Sequence, residues 1–73
     1  MAISHKVVSA VGVISHDGEC SKEVKLISWN DRKPQVDIRN WRGDRPLKGL
    51  VLTREEALKL IELLKRAVID LQG

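Results

Sequence analysis

Phenylalanine and tyrosine are missing from this 73-residue chain, which carries only one cysteine, two prolines and five glycines. Each shortage excludes something. A lone cysteine, Cys20, cannot close an intrachain disulfide, and an unpaired thiol without a secretory leader predicts a reducing, cytoplasmic setting. The apolar stretch from Val7 to Ile14 runs into His16, Asp17 and Glu19, where an exported protein would carry a small-residue cleavage site. Export is therefore not expected. No run approaches the ~18–20 apolar residues of a membrane span. His5, His16 and Cys20 lack the spacing of a zinc site, so no metal is expected. No nucleophile triad, glycine-rich phosphate loop or paired-carboxylate cleft is present. The sequence is read as no enzyme, with no cofactor and no small-molecule substrate.

What is present is a folding chain: 42% apolar residues beside 32% charged ones place it among globular rather than disordered sequences. It is one domain. A chain of this size buries only ~60% of the surface its unfolded form exposes, so a core alone supplies little net stability. With disulfides and metal set aside, self-association is the expected aid. Without phenylalanine or tyrosine, aliphatic side chains must build the core, and Trp29 and Trp41 each need their own account. The net charge of +3 permits an anionic partner without demanding one.

Strands come first and a helix last. Val- and Ile-rich residues 6–16 end at Asp17-Gly18, a tight-turn pair. A second strand is expected over 20–30, a third, strictly alternating, over 35–41, and a fourth over 47–52. Polar clusters at 30–34 and 42–46 separate them. Thr53-Arg54-Glu55-Glu56 then forms a capping box, which predicts a helix over 54–71. Its apolar residues cover more circumference than one sheet can bury. The stripe Ala57, Ile61, Leu64, Val68 and Leu71 suits the protomer's own sheet. The stripe Leu60, Leu63 and Ala67 is left for a partner, which predicts a two-fold dimer through the helix.

Side chains alternate across a strand, so parity assigns faces. Val24, Leu26, Val36 and Ile38 are expected under the helix. The opposite parity gathers Lys25, Ile27 and Trp29 with Asp37, Arg39 and Trp41. A two-residue turn at Asp17-Gly18 would add Lys6, Val8, Ala10, Gly12 and Ile14 to that face. Such a surface is expected to stand open, with indoles to stack on bases at ~1–3 kcal/mol each and cations to hold phosphates. The same residues also admit a plainer account. Tryptophan can pack a dimer or plug a sheet edge, and Arg39 and Lys25 can pair with Asp37 or Glu23.

Val36-Asp37-Ile38-Arg39-Asn40-Trp41, followed by Lys48-Gly49-Leu50-Val51-Leu52 and a capped helix, resembles the single-stranded-DNA-binding core of the positive-cofactor-four transcriptional coactivators. Ser28-Trp29-Asn30-Asp31, with Pro34 beyond, resembles their short bacterial YdbC-like branch. The likeness spans about Val24 to Leu71. It implies an α+β fold, a curved four-stranded antiparallel sheet followed by one C-terminal helix (ββββα, Whirly-like), paired into a homodimer whose two sheets bind DNA. By this resemblance Arg39 and Trp41 match the family's backbone-contacting arginine and stacking aromatic, Lys48 the lysine before the glycine, and Trp29 the bacterial tryptophan. Lys25 and Lys6 enter by parity alone. The 42–47 loop is shorter than in eukaryotic members, and Ala57 stands where many carry an aromatic.

The expectation is a cytoplasmic, nucleoid-associated homodimer that binds single-stranded DNA with little sequence preference, in transcription regulation, replication or repair. Single-stranded RNA, or a protein docked on the same Trp/Arg face, is the alternative partner.

Overall fold

The computed structural model describes residues 4–71. Four antiparallel strands form one sheet, and a single helix follows: β1 (His5–Asp17), β2 (Cys20–Trp29), β3 (Gln35–Arg42), β4 (Arg45–Leu52) and α1 (Arg54–Leu71). The strands lie in chain order, each paired with the next. The expected ββββα order is borne out, and the helix bounds agree with those read from its capping box. Thr53 Oγ1 accepts from the Glu56 amide at 3.1 Å while the Glu56 carboxylate accepts from the Thr53 amide at 2.9 Å.

The turns follow from backbone permissiveness. Gly18 and Gly43 take positive φ at the first central position of two-residue loops, Gly18-Glu19 and Gly43-Asp44. Glycine pays no Cβ penalty there. The first hairpin thus turns one residue later than Asp17-Gly18. The third is tighter than the expected 42–46 loop, with Arg42 pairing directly with Arg45. Pro46 belongs to β4, an edge strand, which tolerates a residue that donates no ladder hydrogen bond. Between β2 and β3, Asn30 and Asp31 both take positive φ (52° and 61°), and the Arg32 amide donates to the Trp29 carbonyl at 3.0 Å. Asparagine and aspartate are the side chains that tolerate this conformation best.

Register, rather than strand identity, departs from expectation. The β2–β3 ladder is uninterrupted, pairing Lys25 with Asp37 and Glu23 with Arg39, so the expected parity holds there. The β1–β2 ladder shifts three times between Asp17 and Val7. Each extra residue reverses which way the next side chain points. An odd number of reversals therefore brings His5 opposite Trp29 and Val7 opposite Ile27. Lys6 pairs with Ser28 and Gly12 with Val24, both on the other face. The assignment of Lys6 and Gly12 to the tryptophan face is corrected accordingly.

Packing departs as well. The tryptophan face is not open: Ile27 and Asp37 are 0% exposed and Trp41 1%, and these are the only buried residues among those described. The helix buries none of its residues. It touches β3 and β4 through its first turns, where Ala57 and Leu60 are half-buried. Ile61, Leu64, Val68 and Leu71, expected against the protomer's own sheet, are instead exposed. Thr53 alone links β4 to α1, which leaves no slack to swing the helix across the sheet. Leu26 and Val36 border Ala57, Leu58 and Ile61, so the helix starts on the face opposite the tryptophans. No helix among the described residues is long and apolar enough to cross a membrane.

Candidate nucleic-acid interface

Two residues apart on β3, Asp37 and Arg39 point to the same face and form a two-point ion pair. Arg39 Nε donates to Asp37 Oδ1 at 2.5 Å and Nη2 to Oδ2 at 2.7 Å. Such planar, forked contact is what guanidinium offers a carboxylate. Trp29 Nε1 also donates to Asp37 Oδ2, at 3.0 Å. Three donors thus converge on a carboxylate with no exposed surface, which is how a buried charge becomes tolerable. The third Arg39 contact, Nη1 to the Leu47 carbonyl at 3.0 Å, ties β3 to β4. Gly49 stands directly opposite Arg39 in that ladder.

The neighbouring unit is built the same way. Lys25 Nζ lies 3.5 Å from the centroid of the Trp41 ring and 3.4 Å from Glu23 Oε1. Ser21 donates its hydroxyl to the other Glu23 oxygen. That donation, aided by Lys25 and opposed by desolvation, lowers the Glu23 pKa below its ordinary 4.5. The Arg39 guanidinium lies 4.9 Å from the Trp29 ring centroid. Both indoles therefore carry a cation, and both cations carry a carboxylate.

Between the indoles lies a third ring. The His5 imidazole centroid is 5.2 Å from Trp29 and 5.8 Å from Trp41, tilted by 41° and 59°. These separations are within the range of favourable aromatic pairs. The Trp41 indole N–H is buried and finds no acceptor among the described residues. An unsatisfied buried donor of this kind is uncommon in folded proteins.

Of the six residues singled out from the sequence, Trp29, Arg39, Trp41 and Lys25 are brought together. Lys48 and Lys6 are not. Lys48 precedes Gly49 and borders the recess lined by Lys22, Asn40 and Leu50, on the far side from the tryptophans. Both lysines lie in edge strands, Lys6 in β1 and Lys48 in β4. His5 is the member that the sequence reading missed, since its place depends on three register shifts that carry no composition signal. Asp37 and Glu23, weighed as plain partners of Arg39 and Lys25, do hold those cations. Exposed cations without an ion pair among the described residues stand at both ends of the sheet, Lys22, Arg42, Arg45 and Lys48 near the Gly43-Asp44 turn and Lys6, Arg32, Lys33 and Arg54 near the other, with Lys65 and Arg66 on α1.

No family model matches the chain. Over 69 residues it is 39% identical to an uncharacterized protein of Treponema pallidum (strain Nichols), an alignment that covers 90% of this chain and 81% of that protein. At that identity and coverage, this chain belongs to the same family as the treponemal protein.

Proposed function

We propose that the protein binds single-stranded DNA, with little sequence preference, as a homodimer paired through α1, and handles unpaired DNA in transcription, replication or repair. The observation that carries the reading is the packing of the His5 ring against both Trp29 and Trp41. Two indoles from adjacent strands share one sheet face and hold a flat heteroaromatic ring between them. A nucleobase offers the same kind of surface, and aromatic platforms beside cations are the usual equipment for unpaired strands. Duplex DNA would need an element to enter a groove. The sheet face offers none.

The phosphate contacts are assigned differently from the stacking contacts. Arg39 and Lys25 are balanced by Asp37 and Glu23, so they position the indoles more than they attract a polyanion. The unpaired cations near the Gly43-Asp44 turn, Lys22, Arg42, Arg45 and Lys48, take the backbone, with Lys48 and Lys6 reached by a strand that wraps the sheet edges. Support for the dimer is the apolar surface a single protomer leaves in water. Ile61, Leu64, Val68 and Ile69 line one continuous stretch of α1, and Val8, Val11 and Ile14 are exposed on β1. Contiguous apolar patches on this scale usually meet a partner surface.

The near-neutral tryptophan cluster favours a second reading, a protein segment docked on the same face, since tryptophan and arginine are also favoured at protein interfaces. Fluorescence anisotropy with a labelled dT oligomer, its duplex and a matched RNA, each at two ionic strengths, separates the possibilities. The expected result is tight binding to the single strand, weak binding to the duplex, and a logarithmic salt slope of ~0.7 per phosphate neutralised. Absence of single-strand binding at low salt sinks the reading; equal RNA affinity reassigns the ligand.

A further inference from the structure

Trp41 is 1% exposed, so it cannot offer a ring face to any ligand until something leaves it. We propose that His5 is a removable cover on the base slot: its imidazole occupies the position an incoming base takes, and ligand entry exchanges one flat ring for the other. This inference rests on the single-strand reading and concerns the access to that same site.

The groups around Trp41 are not equally movable. Lys25 is held by Glu23, and Glu23 by Ser21. The Trp29 side is held by the Asp37–Arg39 pair and, through Arg39, by the β4 backbone. His5 has no side-chain hydrogen bond or ion pair among the described residues and meets the indoles through ring contact alone. It also sits at the first position of β1, an edge strand with no buried residue. Beyond its ladder pairing with Trp29, Ser28 and Ile27, that end is fastened by a latch at Asn30. The Asn30 amide donates to the Ser4 carbonyl at 2.8 Å, and the Ser4 amide donates to Asn30 Oδ1 at 3.0 Å. Both latch contacts belong to residues exposed to water, where exchange with solvent makes a hydrogen bond worth little net. Edge-strand ends of this kind are the first parts of a sheet to open.

The exchange also answers the orphaned donor. A nucleotide brings carbonyl and phosphate oxygens, the acceptors that the buried Trp41 N–H lacks among the described residues. A site whose open form is a minor fraction binds more weakly in proportion to that fraction. Removing the cover should therefore raise affinity.

Three variants of the full chain test the cover: His5→Ala empties the slot, His5→Phe keeps a ring in it, and Asn30→Gly loosens the latch while keeping the left-handed backbone. Acrylamide quenching of tryptophan emission, without DNA, should be steeper in His5→Ala and Asn30→Gly than in the parent and unchanged in His5→Phe. Affinity for a dT oligomer should rise about threefold or more in His5→Ala, rise less in Asn30→Gly, and stay level or fall in His5→Phe. Thermal melts identify any loss of fold. Unchanged quenching in a folded His5→Ala overturns the cover, and so does weakened DNA binding, which would make His5 part of the platform. Should quenching rise while neither parent nor variant binds the oligomer, the cover stands and the single-strand reading fails.

Discussion

Gly49 and Arg39 face each other across the β3–β4 ladder at a distance that leaves no room for a side chain on the glycine. A β-carbon there would overlap Arg39 Cβ, lie 2.6 Å from Arg39 Cα and meet the Ile38 carbonyl oxygen. Backbone and a β-carbon cannot yield as a flexible side-chain tip can. Gly49 thus lets β4 close on β3 where Arg39 reaches the Leu47 carbonyl.

Gly49→Ala should accordingly destabilise the protein by roughly 2 kcal/mol or more, as overpacking does. For a domain of this size that lowers Tm by about 8–16 °C, read by differential scanning fluorimetry. A melt matching the parent would mean that β4 shifts freely and does not fix Arg39.

Asp37 is the hub that joins Trp29 to Arg39, and removing its charge leaves a guanidinium facing a neutral group in a largely closed site. Asp37→Asn should cost about 3 kcal/mol, the usual scale for breaking a buried pair from one side. Urea unfolding measures the loss. Arg39→Met combined with Asp37→Leu should recover part of it, because no unpaired charge then remains. Equal stability of parent and Asp37→Asn would show the pair to be idle.

Glu23 gives the fold an acid-side pH dependence. Its folded-state pKa lies below the ordinary 4.5, first because Ser21 donates to it and then because Lys25 is near. A depressed carboxylate stabilises the fold at pH values above its unfolded pKa, and that contribution fades as pH falls through the folded one. Ser21→Ala should move the Glu23 titration up toward 4.5, followed by carboxyl-carbon NMR, and flatten stability over the acid range. A Glu23 titration that does not move would assign the shift to Lys25.

Leu64 is 52% exposed within one protomer, at the centre of the uncovered stretch of α1. If that stretch is the dimer seam, Leu64→Glu buries a charge there and should yield monomers or unfolded chain by light scattering. The parent should melt at temperatures that rise with protein concentration, as linked dimers do. A parent monomeric at high micromolar concentration ends the dimer proposal.

The elements themselves were legible because local chemistry decides them. Thr53 and Glu56 mark the helix start whatever lies beside it, and the alternation through Val36 to Trp41 could only be a strand with two distinct faces. The grouping of Trp29, Arg39, Trp41 and Lys25 was legible too, since the ladder between β2 and β3 has no interruption. His5 was not, nor was the true side of Lys6. Both depend on extra residues in β1, and a stretch of valine, alanine, serine and glycine accommodates a bulge at one position as readily as the next.

The succession of four strands and a helix along the chain, and the bounds of that helix, were determined by the sequence alone, because each depends on neighbours a few residues away. Whether the tryptophan face lies open or closed was decided only by tertiary structure. Closing it takes the far end of β1 folding back over Trp41, and Asp37, Glu23 and Ser21 arranged to hold the cations. The ion pairs lie within single strands, but Trp29 reaches Asp37, and Lys25 and His5 reach Trp41, from one strand to another. That geometry is set by register, a property of paired strands that neither strand carries by itself.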